Sequence, residues 1–274
     1  MKNGLQDFIT YWQEVFAASD HPIEAMGLSG YDRNMAQFQT DVAPEPYYGY
    51  LHEDMTKDVL LLLLNPGAKD ERTNDQGWNE GVRNRYVKRW SKDEYSRQEE
   101  ILKGKNKWRD KRLDQAKGIV GEVGFLHTME FFPFHSRKDE LTEKFKRSWV
   151  NDFALSELAF YALQDIAINH KVKSIFSVSN DWIRILEKHD VPLHKEVTLK
   201  RHGGKDYSFK FKVYQVAANA LPILFCDLKG SPVNLPRNPF AVQIARSLLG
   251  VTDVANPEEH STFEITIKTW GHTS

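Results

Sequence analysis

The sequence has little of what several large classes of protein need. A single cysteine, Cys226, excludes an internal disulfide and a cysteine-rich metal site, and it fits the reducing cytoplasm, which is the predicted location. No apolar run is long enough to cross a bilayer, and residues 1–19 lack the cationic start and apolar stretch of a secretory signal. We therefore expect neither membrane insertion nor secretion.

The chain also lacks the short motifs of common cofactor sites. Its ten histidines include no His-x-x-x-His or His-Glu-x-x-His pair, and no dense carboxylate cluster is present. Gly67 has none of the partner residues of a phosphate-binding loop, and Gly203 and Gly204 belong to a hairpin signal. The sequence therefore predicts no metal and no cofactor.

A net charge of -1 argues against a wholly basic nucleic-acid binder, but the charge is unevenly distributed. Residues 83–117 contain thirteen Lys or Arg and six Asp or Glu, interleaved with Tyr86, Trp90, Tyr95 and Trp108. Such a segment could follow a phosphate backbone while its aromatics stack on bases. The candidate phosphate contacts are Lys88, Arg89, Lys105, Lys107 and Arg109. The alternative is a solvated pair of charged helices whose aromatics face the core.

The most informative stretch is Leu61–Leu64 followed by Asn65, Pro66 and Gly67. The apolar run, which begins near Val59, predicts a strand buried on both faces. Proline fixes its own φ and glycine permits a positive φ, so the chain turns sharply and presents the Asn65 amide at the end of the strand. The alternative is an ordinary Asn-Pro-Gly turn.

The order of elements predicts one α/β domain over residues 1–274. Further strands are expected over 123–132, 173–178 and 222–227, a hairpin over 194–216, and an edge strand within 260–270. Helices are expected over 5–18, 149–170 and 238–249. The predicted fold is a three-layer α/β/α arrangement with a mainly parallel central sheet and a basic helical insertion at about 80–117.

Polar residues follow several of these strands, and right-handed crossovers bring such strand ends to one edge of a sheet. Asn65, residues 130–136 and residues 229–234 are therefore expected to surround one ligand. Tyr47, Tyr48 and Phe134 are the aromatics expected nearest to it, either as a stacking floor or as ordinary packing around a loop.

These features resemble the uracil-DNA glycosylase superfamily, and above all its mismatch-specific thymine/uracil branch. The resemblance spans Pro44 to Leu249 and depends on the order of elements, on Asn65-Pro66-Gly67 and on a late Ser231-Pro232 loop. In the family, the first motif's asparagine positions the hydrolytic water, and the late loop contacts the DNA backbone and holds the flipped nucleotide. The resemblance implies those roles for Asn65 and for the loop around Ser231 and Pro232.

The sequence departs from the family pattern at two places. Lys229 and Gly230 replace the first two residues of the late motif; a lysine there could stabilise the leaving base or contact a phosphate. By position, Glu130 or a neighbour stands where the family has an amide that reads the base edge, and a carboxylate offers acceptors where an amide offers both a donor and an acceptor.

The predicted function is hydrolysis of an N-glycosidic bond in a nucleic-acid base or nucleotide-like substrate, as in DNA repair. Asn65 and Lys229 are the catalytic candidates. His135 is a candidate general acid or phosphate ligand, but with Ser136 it makes a poor base and nucleophile pair because neighbours on an extended chain point apart. The substrate-binding candidates are Pro66, Gly67, Tyr47, Tyr48, Glu130, Phe134, His135, Ser136, Ser231, Pro232 and Asn234. The alternatives are a non-catalytic nucleic-acid-binding protein of the same fold, and an interaction protein whose aromatic insertion docks a partner or its own copy.

Overall fold

The structure is a computed structural model, and it describes residues 4–18, 38–39, 41–67, 76–136, 141–201, 208–228, 234–251 and 263–270. Helices and strands alternate within these residues, which confirms the mixed α/β class. The helices are α1 (Gly4–Ala18), α2 (Gln76–Val87), α3 (Lys92–Leu102), α4 (Lys107–Val120), α5 (Glu143–Asp152), α6 (Ala154–Ile168), α7 (Asp181–Lys188) and α8 (Pro239–Leu248). The strands are β1 (Tyr47–Tyr48), β2 (Met55–Leu63), β3 (Leu126–Glu130), β4 (Val172–Ser177), β5 (Leu193–Arg201), β6 (Ser208–Tyr214), β7 (Ile223–Leu228) and β8 (Phe263–Thr269).

The strands of the described residues form one mixed sheet in the order β1-β3-β2-β4-β7-β6-β5-β8. Strands β2, β4 and β7 pair in parallel. Strand β3 runs in the same direction as β2, since Val59 N donates to Phe125 O and Phe131 N donates to Leu63 O. The pairs β1-β3, β7-β6, β6-β5 and β5-β8 are antiparallel. Parallel strands therefore form the centre of the sheet and antiparallel strands form both flanks.

The backbone divides into two compact units, each built from several chain segments. Unit 1 comprises Met1–Asp54, Leu63–Ile101 and His127–Asp165. Aromatic side chains form much of its core, where Phe16 stacks on Tyr86 at a centroid distance of 4.4 Å and Trp149 stacks on Phe153 at 4.9 Å. Large rings bury much apolar area for few torsions, so they stabilise this unit efficiently.

Unit 2 comprises Met55–Leu62, Leu102–Leu126 and Ile166–Ser274. Its core includes residues 59–62 of β2, all of which are fully buried, together with Ile175 and Phe176 of β4 and Leu224 of β7. Burial on both faces explains why β2 reads as an unbroken apolar run. The expectation of a single domain over the whole chain stays a prediction.

Several expected elements agree with the structure and one does not. The hairpin is formed by β5 and β6, and β8 pairs with β5 as the predicted edge strand. The expected single helix over 149–170 does not form as predicted: α6 provides Ala154–Ile168 of it, but the first residues belong to α5, which ends at Asp152. Phe153 between them is extended (φ -107°, ψ 122°), and the Ser156 hydroxyl donates to its carbonyl oxygen at 2.8 Å.

The basic segment forms three helices, α2, α3 and α4. No helix in the part of the chain that the structure describes is long and apolar enough to span a membrane.

Candidate functional site

The segments that follow β2 and β3 run side by side in unit 1. Phe132 N donates to Leu64 O at 2.8 Å, and Ser136 N donates to Gly67 O at 3.0 Å. These bonds continue the parallel pairing past the ends of both strands. The predicted convergence of the Asn65 turn with residues 130–136 is therefore present.

Asn65 is held in one orientation by Ser136. Its Nδ2 donates to the Ser136 carbonyl oxygen at 2.8 Å and to the Ser136 Oγ at 2.9 Å. Because the nitrogen side of the amide faces Ser136, Oδ1 is the atom turned away from these contacts and able to accept a hydrogen bond. Asn65 itself is half-buried and follows the end of β2.

Gly67 completes the turn with a φ of +92°, a backbone conformation that favours glycine. A Cβ placed at Gly67 would meet no atom of the described residues within 4 Å, and the positive φ alone favours glycine here. The Gly67 carbonyl is then placed to accept from Ser136, which in turn orients Asn65.

A charged group that the sequence did not predict lies beside this turn. The Glu45 carboxylate is 3.2 Å from His135 Nε2 through Oε1 and 3.4 Å from Arg85 Nη2 through Oε2. Glu45 N also donates to Pro133 O at 2.7 Å, which anchors the residue to the segment after β3. His135 is buried, so its ring meets the carboxylate away from bulk water.

Arg85 is held between this carboxylate and two aromatic rings. Its guanidinium carbon is 5.3 Å from the centroid of Tyr48 and 5.9 Å from that of Trp78. Burial lowers the pKa of Arg85, but Glu45 and the neighbouring tyrosines outweigh it and the pKa is raised overall. The guanidinium therefore stays charged, and its planar faces suit these cation-π contacts.

Glu130, the last residue of β3, is buried and its backbone N–H donates to Pro46 O at 3.0 Å. Burial, reinforced by the nearby Glu45 carboxylate, raises the pKa of Glu130 well above its ordinary value. The shift favours the protonated, neutral form of the side chain. In that form the carboxyl group offers one donor and one acceptor, as an amide does, whereas the carboxylate expected from the sequence offers acceptors alone.

The structure corrects the aromatic candidates. Tyr47 is buried, with its ring 5.6 Å from Phe8 and 4.9 Å from Tyr86. Phe134 is buried against Phe38 at 5.0 Å. Both rings are covered by other aromatics of unit 1, so neither presents a stacking face to a ligand.

Tyr48 is the half-buried member of the predicted aromatic set. Its hydroxyl donates to Glu99 Oε1 at 2.7 Å, and Arg85 lies over its ring.

The basic segment needs a second correction, because most of its aromatics are not on the surface. Tyr86 and Tyr95 are buried, and Trp90 is half-buried at 5.6 Å from Tyr95. Trp108 is exposed. The alternative in which these aromatics face the core therefore holds for Tyr86 and Tyr95.

Among the predicted phosphate contacts, Arg109 is wrong. It is buried, its guanidinium lies 4.8 Å from the centroid of Phe125, and it donates to the Leu126 carbonyl oxygen. A buried carbonyl fixes this side chain inside unit 2, out of reach of a phosphate. Lys88, Arg89, Lys105 and Lys107 are exposed, as a phosphate contact requires.

Of the late-loop candidates, Lys229, Ser231 and Pro232 lie outside the described residues. Asn234 is described and is half-buried. It precedes Leu235, whose carbonyl oxygen accepts from Gln115 Nε2 at 2.9 Å.

Glu45, Arg85 and Trp78 are the site residues that sequence reasoning missed. A signal for Glu45 was present, since Pro44 and Pro46 restrict the backbone on either side of a lone acidic residue. Arg85 was hidden in the basic segment, where a charge that pairs internally cannot be distinguished from one that faces solvent.

A cavity of about 380 Å³ lies in unit 2, lined by residues of β5, β6 and the end of α8. None of the candidate site residues lines it. Among the described residues, no group of three or more His, Cys, Asp or Glu is arranged to hold a metal ion. The chain matches no protein-family model, no curated protein and no solved structure.

Proposed function

We propose that the chain has a uracil-DNA glycosylase-like fold and hydrolyses the N-glycosidic bond of a base in a nucleic acid, with DNA as its partner. The observation that carries the proposal is the fixed amide of Asn65. Ser136 accepts from Nδ2 twice, which leaves Oδ1 directed away as a preset acceptor at the end of a buried strand.

Hydrolysis of an N-glycosidic bond needs few protein groups besides this acceptor. Cleavage of an N-glycosidic bond passes through a sugar cation and a departing base anion, so a water must be aimed at the anomeric carbon. Asn65 Oδ1 aligns that water by accepting a hydrogen bond from it, and the water keeps its proton at this contact. Because the amide is already held by Ser136, no reorganisation is needed when the substrate binds.

The remaining residues of unit 1 take supporting roles. Glu130, as a neutral acid, donates to and accepts from the polar edge of the base. Arg85, which lies near Trp78, holds the Glu45 carboxylate in place beside His135. Lys229 is proposed to stabilise the departing base anion, and Ser231 with Pro232 to contact the strand.

The test is base release from single- and double-stranded oligonucleotides that carry uracil, mispaired thymine, hypoxanthine or alkylated bases. Asn65→Ala is expected to lower the rate about 100- to 1000-fold, the effect of removing one preset polar group from an active site. Ser136→Ala keeps the carbonyl that Asn65 contacts, so we expect a loss of less than about tenfold.

Thermal melting of both variants checks that the fold is intact. Normal turnover by a folded Asn65→Ala variant would contradict the proposed mechanism. Absence of release from every substrate by the wild-type protein would contradict the activity itself.

A second candidate function is non-catalytic binding of nucleic acid by the same fold. The observation that favours it is the exposure of Lys88, Arg89, Lys105 and Lys107. It predicts salt-sensitive binding in the absence of base release.

A further inference from the structure

Strand β8 forms one end of the sheet among the described strands. Its inner side pairs with β5 in an unbroken register that includes Lys195 opposite Thr269 and Glu196 opposite Lys268. Residues 266–269 are all exposed, and the Ile267 side chain keeps 48% of its surface in contact with solvent. No described strand covers the outer side of β8.

The ladder shows which backbone groups of β8 point outward. Trp270 N donates to His194 O at 3.0 Å, so Trp270 directs its backbone groups toward β5. In an antiparallel strand every second residue directs its backbone N–H and C=O groups to the same side. The backbone groups of Lys268, Thr266 and Glu264 therefore also point toward β5. The N–H and C=O groups of Ile265, Ile267 and Thr269 point away from the sheet.

Natural edge strands usually carry a feature that prevents pairing with another chain, such as a proline, a bulge or a very short length. Strand β8 extends over seven residues, contains no proline and shows no register shift against β5. Its only lysine is Lys268, and the oppositely charged Glu264 lies on the same face of the strand. The outer edge is therefore suited to accept a further strand.

The sequence of β8 is complementary to itself when it is reversed about Thr266. In that antiparallel register Ile265 lies opposite Ile267, and Glu264 lies opposite Lys268. The outward backbone groups of Ile265 and Ile267 then meet as a hydrogen-bonded pair, which the ladder requires. Shifting the register by two residues in either direction keeps the hydrogen bonding but removes both Glu-Lys pairs.

We propose that β8 is the dimerisation surface of this protein, and that the partner is a second copy of the chain. The two β8 strands pair antiparallel about a two-fold axis at Thr266. Such an isologous contact satisfies the outward backbone groups of both strands, covers Ile267 and forms two Glu264-Lys268 pairs. The surface lies wholly in unit 2 and does not depend on the proposed hydrolase activity.

Sedimentation of the full chain across a wide range of concentrations tests the proposal. The wild-type mass is expected to rise from that of one 31.8 kDa chain toward double that value. Glu264→Lys places two like-charged pairs across the axis, and so does Lys268→Glu, so each variant alone is expected to stay a monomer. An equimolar mixture of the two variants restores both opposite-charge pairs and is expected to dimerise.

Lys212→Glu is the matched control, because Lys212 carries the same charge on β6, which β5 separates from the edge. The sedimentation mass of Lys212→Glu should rise with concentration as that of the wild type does. Circular dichroism must show that all variants are folded, since Glu264 and Lys268 also lie opposite Lys200 and Glu196 of β5. A wild-type mass of one chain at every concentration would overturn the proposal, and so would a dimer that neither single reversal weakens.

A cysteine variant tests the register. Thr266→Cys places two thiols opposite each other in a non-hydrogen-bonded pair, where Cα atoms lie about 4.5 Å apart and a disulfide fits. Mild oxidation is therefore expected to link two chains covalently, and the native Cys226 does not interfere because it is buried. Lys268→Cys is expected not to form this link, because its copy lies roughly 14 Å along the strand. Linkage by Lys268→Cys and not by Thr266→Cys would contradict the register.

Discussion

At the scale of single residues, the environment of a side chain changes what its chemistry can be. From the sequence alone, Glu130 is expected to be an anion that only accepts hydrogen bonds. In the structure it is buried, and Glu45 adds a second negative charge nearby, so its pKa is raised well above the ordinary value. In its protonated form, the Glu130 carboxyl group has the hydrogen-bond donor and acceptor of an amide.

This shift predicts how stability depends on pH. The folded state keeps the proton of Glu130 above pH 4.5, where the unfolded chain releases it, so the folded state binds more protons and its stability falls as pH rises toward the raised pKa. Glu130→Gln keeps the shape and the polar pattern without the ionisation. The variant is expected to be more stable than the wild type at pH 8 by about 1.4 kcal/mol for each unit of pKa shift removed.

Thermal or denaturant unfolding between pH 4 and pH 8 checks this expectation, and the difference should disappear toward pH 4. Equal stability of the two proteins at pH 8 would contradict it. If Glu130 reads the base, Glu130→Gln should also retain base release.

At the scale of elements, the short strand β1 determines where Glu45 lies. Tyr47 and Tyr48 pair with Met129 and Thr128 of β3, and Pro46 O accepts from Glu130 N at 3.0 Å. The chain then turns at Gly49, whose φ is +132°. A two-residue edge strand flanked by proline is therefore sufficient to bring Glu45 to His135 and Arg85.

Gly49 is expected to be indispensable to this turn. A Cβ at Gly49 would lie 2.1 Å from Nδ1 of the fully buried His127, and the positive φ is strained for an L side chain. Gly49→Ala is expected to lower the free energy of unfolding by about 2 to 4 kcal/mol, through backbone strain and overpacking together. Denaturant unfolding measures the loss.

Gly118→Ala is the matched control, because Gly118 lies on the exposed side of α4 and a Cβ there meets nothing within 4 Å. It should gain about 0.5 to 1 kcal/mol from helix propensity. A Gly49→Ala variant as stable as the wild type would mean that this turn does not constrain β1.

At the scale of the whole molecule, a net charge near zero conceals a basic segment in an otherwise acidic chain. The structure separates six of the thirteen cations of that segment into two groups. Arg85 and Arg109 are enclosed by carboxylate, carbonyl or aromatic partners. Lys88, Arg89, Lys105 and Lys107 face solvent. Of these six cations, only the four exposed ones are available to phosphates.

Nucleic-acid affinity measured at several salt concentrations tests this division. Each double variant, Lys88→Gln with Arg89→Gln in unit 1 and Lys105→Gln with Lys107→Gln in unit 2, is expected to weaken duplex binding and to reduce the salt slope by about 2. Arg109→Gln should lower thermal stability and leave the slope unchanged. Slopes equal to that of the wild type in both double variants would exclude these residues as phosphate contacts.

The sequence by itself determined the α/β class, most strand positions and the Asn65-Pro66-Gly67 turn. These features depend on local rules: apolar runs bury strands, and proline and glycine restrict or permit backbone angles. Residues 149–170 show the limit of such rules, because the helical pattern continues through Phe153 while the backbone breaks there.

Only the tertiary structure decided which polar and aromatic side chains work together. Glu45, Arg85 and His135 lie far apart in the sequence, so no spacing could pair them. Tyr47 and Phe134 proved to be core residues because other rings cover them, and Arg109 because a buried carbonyl accepts from it. The physical reason is common to all these cases: burial and charge pairing depend on neighbours that folding supplies, whereas turn and strand propensities are carried by the chain itself.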